Sequence, residues 1–257
     1  MPFFLNEWWK KNYGKVSVGL ALLVAIYYLV VLRRQSELFI AIEDYISFIS
    51  LLGSLYIVSG GIFLKIRGNS SPLKNSLFLL TGSIFANIIG TTGAAVLLLK
   101  PFIKFNESRL KPYHIIFFIF SVCNTGGALT PIGDPPLLMG FLKGVPFFWT
   151  IENIFHIWAF MILYILIIFY IIDSRNKKNV VNKRKEDEVK YGGLLNLIFL
   201  AIIIGSVFIT KPLFIREIIM LVSAFISYKM TSKEVRQRNS FSFESIKEVA
   251  LLFFGIF

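Results

Sequence analysis

The chain has 257 residues, of which 56% are hydrophobic and 16% charged, against about 25% charged in an ordinary soluble domain. With a mean hydropathy of +0.70 and 27 Phe, this composition excludes a water-soluble fold and points to several membrane spans of about 20 apolar residues each. The net charge of +12 sits in short Lys and Arg blocks between apolar runs, which argues against a nucleic-acid-binding face, and the single cysteine, Cys123, excludes an intrachain disulfide.

The first apolar run, residues 16–32, follows Trp8, Trp9, Lys10, Lys11 and Lys15 and has no small-residue cleavage site before Arg33. It predicts an uncleaved span with an aromatic anchor. Further runs lie at residues 45–64, 76–99, 114–140, 154–172, 194–209, 215–228 and 246–257. The last has about 12 residues, too few to span. The basic block at residues 175–190 reads as a solvated cytoplasmic loop. The chain is thereby divided into 1–172, scaffold spans with the runs at 76–99 and 114–140, 173–193, the loop, and 194–257, linking spans of which the last is cut short.

Counting Lys and Arg in the connections gives the orientation. If every run crosses the bilayer, the 27 basic residues divide 18 against 9; if residues 76–102 enter and leave on one side, they divide 22 against 5. The second division obeys the positive-inside bias far better. The sequence therefore predicts a re-entrant hairpin opening to the cytoplasm, a cytoplasmic N-terminus, and the inner (cell) membrane of a bacterium as the location.

Non-helical backbone at membrane depth survives only where protein or a water-filled cavity covers it, so small polar residues, Gly and Pro inside apolar runs mark candidate sites. One such place is the hairpin tip, where Gly90 and Gly93 release the helix and Asn87, Thr91 and Thr92 offer side-chain oxygens. A small-residue helix-packing face is the other reading of that stretch. The second place runs from Ser121 to Pro136. Gly126, Gly127, Pro131, Gly133, Pro135 and Pro136 cannot share one continuous helix. The span must break, its first half ending near Asn124 and its second beginning near Pro135 or Pro136. Asp134 then precedes the second half-helix. A carboxylate at membrane depth is a functional candidate, and a helix-capping Asp in an exposed loop is its alternative. Asn124, Thr125, Thr130 and Asp134, the broken-helix carbonyls at Gly126 and Gly127, and the tip residues form an oxygen set suited to sodium, with Asn124, Thr125 and Asp134 as its first ligands. His114 and His156 read as structural or wet, and Glu43, Asp44 and Glu152 as span-end residues facing water.

The stretch from Asn124 through Thr125, Gly126, Gly127, Ala128, Leu129, Thr130, Pro131, Ile132, Gly133 and Asp134 to Pro135 and Pro136 resembles the broken-helix signature of the ion transporter superfamily, which includes D-type sodium/proton antiporters and citrate and dicarboxylate carriers. Residues 90–101 are similar to the preceding hairpin. The likeness covers most of residues 40–160 and is closest to sodium/proton antiporters of the citrate-transporter-like group. It implies an all-α integral membrane bundle, the first half of an inverted-repeat fold with a re-entrant hairpin and a broken helix. Dicarboxylate carriers usually have a hydroxyl residue in place of Asp134 and Asn in place of Leu137, so the Asp favours cation/proton exchange.

The expected function is secondary sodium/proton antiport, with sodium-coupled citrate or dicarboxylate transport and a non-functional remnant as the alternatives. No enzyme activity, catalytic residue or cofactor is expected beyond the transported sodium and proton. The expected partners are the lipid bilayer, sodium, a small carboxylate and a second copy in a homodimer. A second repeat is also expected, since residues 191–257 contain no further hairpin and Gly-Pro break.

Overall fold

The computed structural model of the chain describes residues 6–176, 188–209, 211–239 and 241–255. Among the described residues, ten α-helices and two short strands follow in the order α1 (Asn6–Tyr27), α2 (Gln35–Gly60), β1 (Phe63–Arg67), α3 (Pro72–Phe105), α4 (Pro112–Phe118), α5 (Pro135–Leu142), α6 (Trp149–Ser174), β2 (Glu188–Gly192), α7 (Leu195–Ser206), α8 (Ile215–Met230), α9 (Lys233–Arg238) and α10 (Glu244–Phe253). Among the described residues, four helical segments are long and apolar enough to cross a membrane: Lys11–Leu32, Gln35–Gly60, Pro72–Phe105 and Trp149–Ser174. Large apolar side chains point outward along them, as Phe160, Leu163 and Ile167 do on α6. That pattern suits hydrocarbon and not water. The chain is an α-helical integral membrane protein.

Two compact units divide the chain. The smaller comprises residues 1–53 and 242–257. Its short helix α10 is anchored by polar bonds, the Ser17 hydroxyl donating to the Leu252 carbonyl at 3.1 Å and the Tyr45 hydroxyl to the Ala250 carbonyl at 3.0 Å. Phe48 and Phe253 pack with ring centroids 4.7 Å apart. Within this unit Asp44, expected to face water, is buried at 8% exposure, because α2 starts at Gln35, well before the apolar run.

The larger unit, residues 54–241, holds the hairpin and the break. Helix α3 starts where Ser71 accepts the Lys74 N–H and Pro72 takes the first position, which lacks an intrahelical partner in any case. It is interrupted at Gly90, whose φ of 77° and ψ of 154° only glycine adopts cheaply. The two limbs fold back on each other. Val122 and Leu98 both lie where a Gly82 side chain would be, and the Asn75 and Asn106 side chains meet at the open end. Gly93, expected to share the interruption, keeps helical backbone; it is small because the Ser59 hydroxyl lies 2.7 Å from where its Cβ would stand. Leu79, Ala86, Ile89, Phe102, Phe118, Val122, Ile162 and Phe169 form the core between α3, α4 and α6.

Two further expectations require correction. The run at residues 45–64 does not remain helical to its end, because α2 stops at Gly60 and residues 63–67 become strand β1. The loop at 173–193 is not loop throughout, since Glu188–Gly192 pairs antiparallel with β1, Phe63 opposite Gly192 and Arg67 opposite Glu188. The basic residues between these points, 177–187, lie outside the described residues.

Candidate functional site

Helix α4 continues as a wider π-helical turn over Ile119–Asn124, tightens to a 3-10 turn over Thr125–Gly127, and gives way to irregular chain until α5 starts at Pro135. An interruption of this kind strands carbonyl groups that lipid cannot satisfy. Neighbouring helices take them up. The Ser83 hydroxyl donates to the Ser121 carbonyl at 2.8 Å, the Trp158 indole to those of Thr125 and Gly126 at 2.9 and 3.1 Å, and the Thr150 hydroxyl to that of Leu129 at 2.6 Å. Trp158 and Thr150 are both buried on α6.

Asn87 joins the hairpin to the interruption. Its amide donates to the Gly126 carbonyl at 2.6 Å, its side-chain oxygen accepts the Leu129 N–H at 2.9 Å, and its own carbonyl accepts the Thr130 hydroxyl at 2.6 Å. Thr130 in turn accepts the Gly133 N–H at 3.0 Å, and Thr91, the first residue of the second limb, donates its N–H to the Gly133 carbonyl at 3.3 Å. Gly127 and Gly133 touch backbone to backbone. A Cβ at Gly127 would lie 2.5 Å from both the Gly133 oxygen and the Thr91 methyl, and one at Gly133 would lie 2.1 Å from the Gly127 oxygen. Thus Asn87, Gly90, Thr91, Gly126, Gly127, Thr130, Pro131 and Gly133 form one interlocked cluster, and most of its polar groups are used in holding it together.

Asp134 follows that cluster directly. It occupies the position before α5 with extended backbone, φ −136° and ψ 128°, yet its side chain makes no capping bond. Pro136 supplies no N–H at the second helical position, which leaves the Leu137 N–H as the capping donor, and the carboxylate does not accept it. Among the described residues the half-buried Asp134 carboxylate has no hydrogen-bond or ion-pair partner, and the same holds for the side-chain hydrogen bonds of Thr92, Asn124 and Thr125. Asn124 and Thr92 are exposed, and no contact draws them to Asp134. Among the described residues no group of three His, Cys, Asp or Glu could hold a metal ion.

A second polar cluster closes the open end of the hairpin, and the sequence reading did not find it. Asp173 at the end of α6 is fully buried and accepts from Arg109 Nη2 at 2.5 Å, the Tyr113 hydroxyl at 2.6 Å and Asn75 Nδ2 at 2.9 Å. His114 is equally buried, with Nδ1 3.1 Å from the Lys111 backbone nitrogen and Nε2 3.2 Å from the Asp173 carboxylate. His114 is therefore dry and structural. Asn176 adds bonds to the Arg109 carbonyl and the Tyr113 hydroxyl at 2.9 and 3.1 Å. The available signal was a charged residue within the last turn of an otherwise apolar helix.

A family model described as "Putative citrate transport" matches residues 1–257. No curated protein and no solved structure matches the chain.

Proposed function

The chain belongs to this citrate-transport family of membrane proteins, and from that premise we propose that it is a secondary active transporter whose coupling ion is held at Asp134. One observation carries the reading: a carboxylate stands at the contact between hairpin tip and interrupted helix, in a capping position, with no capping bond. An ionised carboxylate in such surroundings costs several kcal/mol unless a cation or proton joins it. Sodium and proton compete for that place, with Thr91, Thr92, Asn124 and Thr125 as the oxygen donors nearest in sequence to the cluster. The cargo exchange is sodium against proton. The hairpin is re-entrant, with both ends and the N-terminus cytoplasmic in a bacterial cell membrane, and a second hairpin and broken helix supply the opposing half of the alternating site.

The family description favours a second reading, in which citrate travels with the cation. Here too Asp134 must be neutralised, because a polycarboxylate beside a bare carboxylate is repelled. Flux in proteoliposomes separates the two, with a complementary half supplied where needed. Sodium-driven proton movement without citrate supports exchange, sodium uptake only with citrate supports symport, and no ion-coupled flux under either condition overturns the proposal.

A further inference from the structure

The interruption of α3 exchanges one helical hydrogen bond for two bonds to the neighbouring segment. In an unbroken helix the Asn87 carbonyl would accept the Thr91 N–H, four residues on. At Gly90 the backbone leaves helical φ and ψ, and the Thr91 N–H turns instead to the Gly133 carbonyl at 3.3 Å. The Asn87 carbonyl takes the Thr130 hydroxyl in its place, at 2.6 Å. Thr130 also holds the other polar group of Gly133, whose N–H nitrogen lies 3.0 Å from both the Thr130 carbonyl oxygen and its hydroxyl oxygen. Both backbone groups of Gly133 are therefore engaged, and Asp134 is the next residue. On its far side the Asp134 carbonyl accepts the Leu138 N–H at 3.1 Å, the first bond of α5.

A hydroxyl has one proton and two lone pairs. In Thr130 the proton goes to Asn87 and one lone pair to Gly133, on a side chain that is 8% exposed. Most of its polar capacity is spent on backbone. We propose that Thr130 is a positioning residue for Asp134 and not an ion ligand: its hydroxyl ties Gly133, and with it the carboxylate, to the interruption in α3. The inference rests on the reading of Asp134 as the ion-coupling carboxylate, and it gives that reading a mechanical consequence. Hairpin tip and carboxylate keep one spacing, so a shift of the tip carries the carboxylate with it. A ligand and a positioning residue differ in what they alter. A ligand contributes to sodium affinity alone, because a proton on Asp134 needs no further oxygen. A positioning residue sets the surroundings of the carboxylate and so alters its hold on sodium and proton alike.

The test uses the purified full chain and two binding measurements. Sodium affinity is read with radiolabelled sodium. Protonation of Asp134 is read by titrating, in sodium-free buffer, the infrared carboxyl band that Asp134→Asn removes. Thr130→Val keeps the shape and withdraws the hydroxyl. It should weaken sodium binding by roughly ten-fold, the equivalent of one hydrogen bond, and move the protonation midpoint of Asp134 by a similar factor in proton concentration. Thr130→Ala should do the same, and takes its place if the valine variant does not fold. Thr130→Ser restores the hydroxyl and should match the wild type in both measurements. A change in sodium affinity alone would make Thr130 a ligand and overturn the proposal. So would a lowered unfolding temperature with both affinities unchanged, or a serine variant that behaves as the valine one does. Absence of sodium binding in the wild type would count against the coupling reading, and the infrared titration would still decide the role of Thr130.

Discussion

Asn75 and Asn106, at the two ends of α3, exchange side-chain amide hydrogen bonds at 2.7 and 3.0 Å. Both are fully buried. Two residues at opposite ends of a straight helix of that length would stand far apart, so the pair records the reversal at Gly90 from the other end of the hairpin. It also holds the two ends of α3 side by side.

The first prediction follows from that pair. In a Cys123→Ser background, single cysteines at Asn69 and at Ser108, which flank the hairpin, should react with an impermeant thiol reagent from the same side of intact vesicles. Labelling from opposite sides would remove the re-entrant topology and the site built upon it.

The second concerns Asp173. Replacing it by Asn leaves the Arg109 guanidinium, 6% exposed, without its counter-charge, and breaking a buried pair in this way costs about 3–5 kcal/mol. Tyr113→Phe removes a single hydrogen bond to a charged group and should cost about 1.5–3 kcal/mol. Unfolding in detergent should rank Asp173→Asn as the more damaging, and the reverse order would show that the ion pair does not hold the hairpin ends.

A contrast between two glycines tests the contact of tip with interruption. Gly127→Ala pushes a methyl against the Gly133 oxygen and the Thr91 methyl, whereas at Gly140 the nearest atom, on Val145, lies at an ordinary 3.7 Å. Overpacking should cost Gly127→Ala about 1–3 kcal/mol and most of its flux. Gly140→Ala should be close to neutral in both, and equal effects would mean that the contact is loose.

Trp158 offers a fourth. Trp158→Phe keeps the ring but withdraws the N–H shared by the Thr125 and Gly126 carbonyls, a loss of about 1–3 kcal/mol for groups left buried without a donor. Thermal unfolding of the variant should fall accordingly, while Ile157→Leu, an exposed change on the same helix, should not move it.

The sequence showed the interruption between α4 and α5 because its cause is local: Pro131, Pro135 and Pro136 lack the N–H that a helix uses, and Gly126, Gly127 and Gly133 crowd weak helix formers into the same short stretch. A reversal within residues 76–102 was expected from the charge distribution of the connections, and the chain does fold back at Gly90. What stayed hidden depends on distance along the chain. Asp173, His114 and Asn75 come from three separate helices and Arg109 from the connection between two of them, and each taken singly looks like an ordinary residue at a span end. Phe63 to Ile66 simply prolong the apolar run of α2, so nothing local marks them as a strand until Glu188–Gly192 lies beside them. The engagement of Asn87 with the interruption was equally illegible. An Asn that binds a cation and one that binds backbone have the same sequence signature, and only the positions of Gly126 and Leu129 tell them apart.

The most direct test of the account is sodium-dependent proton flux in proteoliposomes, with and without citrate, for the transporting form and for its Asp134→Asn variant. The amide is nearly isosteric, and the carboxylate it replaces makes no capping bond, so insertion and unfolding temperature should be unchanged. The account predicts that ion coupling is lost, by at least about 100-fold in flux, while Thr125→Ala weakens sodium affinity yet leaves flux measurable at high sodium. Normal ion-coupled flux in Asp134→Asn, with or without citrate, would contradict it.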